Sequence, residues 1–192
     1  ASSEAISVEL NRVAFNGYFD NSSKKFLCYG LLNNPELGDY ETFTKAFSQM
    51  TWQEVMGEFA KAIGLLVTQT GNNINGQSKI RCVISATLFT RLQALYTDLG
   101  ISVYETLLKT YPKMEFVSAI ELDKAETDKD VVYFIGESLV GGIAESTKFG
   151  YSEIALMGNV VQTDYGYSQA MSAGTCGALI YKPSHIVRVK DA

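Results

Sequence analysis

Imidazole is scarce in this chain: His185 is the only histidine among 192 residues. One copy therefore cannot build a three-histidine metal site or an HExxH zinc motif. Cys28, Cys82 and Cys176 supply thiols, but no CxxC pairs them. An odd count excludes complete internal pairing, and the expectation is three buried free thiols in a reducing compartment. A thiol–imidazole catalytic pair would have to join Cys176 to His185. Cys176 follows Gly174-Thr175 where a loop enters a strand, and His185 lies in an extended stretch near the C-terminus. The favoured reading is a packed thiol and a surface histidine. No catalytic residue, metal ligand or cofactor is expected.

The other candidates for chemistry fail on spacing. Gly71-Asn72-Asn73-Ile74-Asn75-Gly76 lacks the Lys-Ser/Thr of a phosphate-binding loop, and it follows a helix where phosphate loops precede one. Gly141-Gly142 follows a strand, but GxGxxG is absent. Both read as loop geometry. Glu36, Asp39 and Glu41 follow Pro35 in a polar loop, where nothing would raise one carboxyl pKa for acid–base work. The run from Asp123 to Asp130 lacks the alternating oxygen array and central glycine of a calcium loop. Lys24-Lys25 and Arg188-Val189-Lys190 are the tightest basic groups, and the second reads as an edge strand protected by charge.

These residues need elements to position them, and several are legible. A helix is expected from near Glu4 to Asn16-Gly17, with Ile6, Leu10, Val13 and Phe15 along one stripe. Thr51-Trp52-Gln53-Glu54 is a capping box. Trp52, Met56, Phe59, Ile63 and Leu66 then recur at helical spacing as a buried face ending near Thr70-Gly71. Ser85 caps a helix to about Tyr96, and Ser102-Val103-Tyr104-Glu105 opens another. Strands are expected at Ile80–Ile84, Glu115–Ala119, Val131–Ile135 and Gly177–Tyr181, with a last extended piece at His185–Val189. Val131–Ile135 is apolar on both faces and so central. Ile154–Met157 and Val160-Val161 are weaker strand candidates. Asp123–Asp130 is a solvated loop. Helices interspersed with strands give an α+β fold.

Composition narrows the class. Sixteen basic residues against 21 acidic ones give a formal net charge of −5. That disfavours a broadly basic nucleic-acid-binding domain. Hydrophobic residues make up 46%, enough for a folded core. No apolar run is long enough to span a bilayer, and Ala1-Ser2-Ser3-Glu4 does not read as a secretion signal.

Three stretches together resemble a family. The first runs from Ile6-Ser7-Val8-Glu9-Leu10 through Gly17-Tyr18-Phe19-Asp20-Asn21 to Tyr29-Gly30-Leu31-Leu32-Asn33. The second is Cys82-Val83-Ile84-Ser85 with the Leu88–Leu95 helix, then Leu99-Gly100-Ile101-Ser102-Val103 and Tyr111-Pro112. The third is Gly174 to Pro183. In order and spacing the chain resembles the major capsid proteins of tailed bacteriophages, the Hong Kong 97 type. It is similar to a prophage-borne branch of unknown-function annotation, in which a spine helix ends before a GLLN-like turn.

The resemblance implies a non-enzymatic structural subunit of a phage or prophage icosahedral shell. Family members form pentamers and hexamers that enclose double-stranded DNA without reading its sequence, and no membrane is involved. The implied location is the virion capsid, with the bacterial cytoplasm before assembly. The start at Ala1 leaves no room for the family's N-terminal arm and extended hairpin. The expectation is thus a Hong Kong 97-type fold lacking both, as in a cleaved or truncated subunit. Residues 1–50 would hold the spine-helix end and part of a peripheral subdomain, 51–150 an axial subdomain, and 151–192 return strands shared by both. Asn72, Asn73, Asn75, Asp123, Lys124 and Asp128 are the expected subunit contacts. The alternatives are a small soluble α+β enzyme or ligand-binding domain, and an interaction module of a head-completion or tail complex.

Overall fold

The computed structural model describes residues 2–137, 146–152, 156–163 and 166–192. The chain divides into two compact units. One holds residues 1–35 and 147–180, the other 36–146 and 181–192.

The second unit is built on a five-stranded sheet. Its strands are β3 (Glu41–Thr42), β4 (Lys79–Ser85), β5 (Met114–Ala119), β6 (Val131–Glu137) and β11 (Ile186–Lys190), in the order β3-β11-β6-β4-β5. β6 is antiparallel to both β4 and β11, whereas β4 runs parallel to β5 and β11 to β3. A parallel neighbour requires a crossover, and α3 (Ala86–Ala94) with α4 (Val103–Thr110) supplies it between β4 and β5. The middle position of β6 explains its composition: Val131 to Gly136 are all buried.

α2 (Trp52–Gln69) covers one face of this sheet. Its start is fixed by the expected capping box: the Thr51 hydroxyl accepts from Glu54 N, and Glu54 Oε2 accepts from Thr51 N at 2.8 Å. The buried stripe is Val55, Phe59, Ala62, Ile63 and Leu66. It meets Ile80, Cys82 and Ile84 of β4, Val132 and Phe134 of β6, and Leu88, Leu92, Val103 and Leu107 of the crossover helices. Phe59 lies edge-on to Phe134, with ring centroids 5.4 Å apart. Trp52 and Met56, expected on this buried face, are only half-buried. Val55 and Ala62 carry the stripe in their place. Trp52 stands at the first turn, and its indole N–H reaches Asp98 Oδ1 at 3.3 Å.

The opposite face of the sheet is covered over β6 and β11 by the 37–40 segment. The Tyr133 hydroxyl meets that of Tyr40 at 2.8 Å, and the Arg188 guanidinium stacks 4.2 Å from the centre of the Tyr40 ring. Arg188 Nε donates to Gly38 O at 2.6 Å. Burial pushes the Tyr133 phenol far above its ordinary pKa. The charge-protected edge expected for Arg188 is therefore corrected: β11 lies inside the sheet, and Arg188 binds the 37–40 segment. His185 is corrected too. It ends a short 3-10 turn (Pro183–His185) at 5% exposure, with no hydrogen-bond partner for Nδ1 among the described residues. Burial, reinforced by the Lys182 charge, holds its pKa below the ordinary imidazole value.

Among its described residues, the first unit contains α1 (Ser2–Asn16) and three strand pairs. β1 (Tyr18–Asp20) pairs with β2 (Lys25–Cys28), β7 (Thr147–Tyr151) with β10 (Thr175–Ile180), and β8 (Leu156–Thr163) with β9 (Gly166–Ser172), all antiparallel. The GLLN turn has a specific task here. A helix leaves its last four carbonyls unpaired; Gly17, just past the helix, satisfies one, and this turn returns to satisfy the other three. Gly17 N donates to Val13 O, Leu31 N to Ala14 O, Leu32 N to Phe15 O and Asn33 Nδ2 to Asn16 O, all at 2.8–2.9 Å. Asn33 Oδ1 also accepts from Gly30 N at 2.7 Å. Gly17 takes φ +70°, open to glycine without strain. Gly30 is required for space: a Cβ there would lie 2.2 Å from Phe15 O.

Candidate assembly surfaces

The α2–β4 loop begins as a Schellman cap. Asn72 N donates to Val67 O at 2.9 Å and Gly71 N to Thr68 O at 3.2 Å, with Gly71 and Asn72 at positive φ. Asn73 N donates to Thr70 O. These three amides are committed to the helix end, which gives the physical reason the loop is no phosphate cradle. Ile74 is fully buried and anchors the loop, packed where a Cβ on Gly136 would come within 2.9 Å of it. Asn75 Oδ1 accepts from Gln77 N at 3.0 Å and from the Ser78 hydroxyl at 3.2 Å. Asn72 and Asn73 are thus exposed side chains on a fixed backbone, while Asn75 is occupied in shaping the turn.

The loop before β6 is held as firmly. Asp123 Oδ1 accepts from Thr87 N at 3.2 Å, supporting the first turn of α3. Asp130 Oδ1 accepts from Lys124 N at 2.8 Å, and Glu126 and Lys129 form an isolated antiparallel bridge. Lys124, Thr127 and Asp128 have positive φ. Lys124 and Asp128 are exposed, and Asp123 is half-buried. The structure does not bring the two loops together. Lys79, just after the first, pairs with Glu137 at the end of β6, and the second precedes Val131 at its start. Six strand steps separate these ends by about 20 Å.

Further exposed features were not singled out in the sequence. On the sheet face away from α2, Lys79 lies 3.3 Å from Glu115 and 3.4 Å from Glu137, and Arg81 Nη2 lies 3.0 Å from Glu137. The Glu115 and Glu137 carboxylates raise the Lys79 pKa. Registry places Arg81 opposite Glu115 and Lys79 opposite Glu137. The signal was the two-residue spacing of Lys79 and Arg81. In the first unit, Phe19, Phe26 and Tyr29 make a partly exposed aromatic row, with centroids 5.0 and 5.4 Å apart. On the second, Leu99 is 86% exposed at a tight turn and Ile120 is 73% exposed. Of these exposed apolar side chains, Phe19, Phe26 and Tyr29 touch one another as one patch.

Among the described residues, no group of three or more His, Cys, Asp or Glu is placed to hold a metal ion. No described helix is long and apolar enough to cross a membrane. Cys176 and His185 belong to different units. Only Cys82 of the three cysteines is buried; Cys28 is half-buried and Cys176 exposed, correcting the expectation of three packed thiols. Burial raises the Cys82 thiol pKa far above its ordinary value. Gly141-Gly142 lies outside the described residues.

The family model for the Pa193 gp26 major capsid protein matches residues 1–191. The chain belongs to that family. The resemblance to phage major capsid proteins of the Hong Kong 97 type is thus correct. Solved structures show the α+β capsid fold as well. The capsid of Myoviridae Phage XM1 superposes with a TM-score of 0.77 at 12% identity, covering 100% of this chain and 63% of that one. A virus-like particle from Pyrococcus furiosus gives a TM-score of 0.53 at 12% identity, covering 82% of this chain and 58% of that one. This capsid-family chain therefore spans less than two thirds of the length of either. No curated protein matches it.

Proposed function

We propose that this chain forms the shell-building part of a phage or prophage major capsid protein, and that its role is structural, without catalysis. The observation that carries this is the family match across residues 1–191, supported by a capsid fold over the whole chain. Function in such a subunit is geometric. Heterologous contacts close subunits into rings, and rings join at their edges. In this role the subunit builds pentamers and hexamers, closes a shell around double-stranded DNA and takes its place in the virion. A net charge of −5 fits a container that holds DNA by closure and not by clamping phosphates.

Within that shell, the 36–146 and 181–192 unit is proposed as the axial subdomain and the 1–35 and 147–180 unit as the peripheral one. The exposed side chains of Asn72, Asn73, Lys124 and Asp128 are proposed to meet neighbouring subunits. Asn75 and Asp123 would act by holding the two loops in shape. Rigid loops suit this use, because a contact that needs little ordering loses less entropy on assembly.

Sedimentation velocity of the full gene product tests the function. Species of ring size or larger are expected at micromolar concentration. A single monomeric boundary at every concentration would overturn it.

A further inference from the structure

Two glycines face one another across the β7–β10 pair: Gly150 is registered with Gly177. The volume that a Cβ on Gly150 would fill is held by Cys176 Sγ, 2.2 Å from it. A Cβ on Gly177 would sit 2.4 Å from Tyr29 O, with Cys28 Cβ and Sγ beside it at 3.2 and 3.3 Å. The register slips between Thr175 and Gly177, so Cys176 is the extra residue of a bulge. A bulge re-aims the side chain it carries. Cys28 and Cys176 line one groove with Val13, Tyr18, Leu27 and Thr175. β2 is tied to β10 beside them, through Tyr29 O accepting from Ala178 N at 3.0 Å.

We propose that Cys28 and Cys176 are a reversible redox pair whose disulfide staples the first unit. That unit is assembled from two stretches of chain, 1–35 and 147–180, separated by the whole of 36–146. Cys28 lies on the first stretch and Cys176 on the second. A bond between them closes a long loop and restricts the unfolded chain accordingly. Oxidised glutathione is a sufficient oxidant. The Cys176 thiolate, on the exposed side, attacks its S–S bond and releases one glutathione thiolate. The Cys28 thiolate then attacks the Cys176 sulfur of the mixed disulfide and releases the second. Two protein thiols become one disulfide, one glutathione disulfide becomes two thiols, and the two protein protons pass to the leaving thiolates. Cys82 takes no part, since burial in the second unit's core keeps it protonated and inaccessible.

The test is incubation of the reduced full chain with oxidised glutathione, followed by thiol titration in denaturant and a non-reducing peptide map. The expected result is a loss of two of three thiols, a mass lower by two hydrogens, and one linked peptide joining Cys28 to Cys176. Hydrogen exchange in α1 and β10 should slow by about tenfold or more, with the second unit unchanged. Cys82→Ser should behave like the parent, and Cys176→Ser should show neither the link nor the slowing. A stable glutathione adduct on Cys176 with Cys28 still free would overturn the proposal. So would a Cys176–Cys176 cross-link between two chains, or oxidation that leaves exchange in the first unit unaltered.

Discussion

Gly30→Ala is the most demanding substitution in the α1 cap. The added Cβ would sit 2.2 Å from Phe15 O and 2.4 Å from Phe15 C and Gly17 N. All three are backbone atoms, so no rotamer change relieves the overlap. The returning segment must move away from the helix end, and four hydrogen bonds depend on its position: Leu31 N to Ala14 O, Leu32 N to Phe15 O, Asn33 Nδ2 to Asn16 O and Gly30 N to Asn33 Oδ1. At about 0.5–1.5 kcal/mol net each, their joint loss comes to about 2–6 kcal/mol. Overpacking alone would cost about 1–3 kcal/mol. We expect a loss of at least about 3 kcal/mol, read as a more than hundredfold acceleration of hydrogen exchange in peptides covering 13–32. Gly38→Ala is the matched control, because a Cβ there meets nothing within 4 Å. It should stay within about 0.5 kcal/mol of the parent. A Gly30→Ala effect below about 1 kcal/mol would refute the account of the GLLN turn as a closed helix cap.

The opposite sign is expected on α2. Gly57 and Gly64 are exposed, and a Cβ at either meets nothing within 4 Å. Gly57→Ala and Gly64→Ala should each stabilise by about 0.5–1 kcal/mol in denaturant unfolding followed by Trp52 fluorescence. Phe59→Ala, at a fully buried position against Phe134, should cost about 3–5 kcal/mol in the same assay. His185 predicts a pH dependence. Its pKa is depressed in the fold, so the unfolded chain takes up a proton first as pH falls. The stability from keeping it neutral is complete above about pH 6.5 and declines as pH drops from there toward the lower folded value. In the His185→Phe variant, unfolding curves between pH 7 and 5 should lose that part of the slope.

Elements with a local cause were legible in the residues. The capping box at Thr51, the cap at Ser85 and the two-faced apolar run of β6 each follow from side-chain chemistry within a few positions. Trp52 was misplaced because helical period fixes a face but not where the partner sheet lies beneath it. His185 and Arg188 were misread for a related reason: their surroundings come from residues far away in the chain, with Gly136 beside His185 and Tyr133 in register with Arg188. Of the contact candidates, both loops were located correctly as loops. Asn75 and Asp123 could not be separated from their exposed neighbours without the hydrogen bonds that engage them. The Lys79–Arg81–Glu115–Glu137 network needed strand register, and short-range sequence does not encode which strands pair.

Cryo-electron microscopy of particles formed by the full gene product, resolved well enough to trace the subunit, is the decisive measurement of the structural role. Closed shells in which this fold repeats are expected, with Asn72, Asn73, Lys124 and Asp128 at boundaries between subunits. Particles in which both loops face solvent would contradict the contact assignment, and the absence of any shell or ring would contradict the structural role itself.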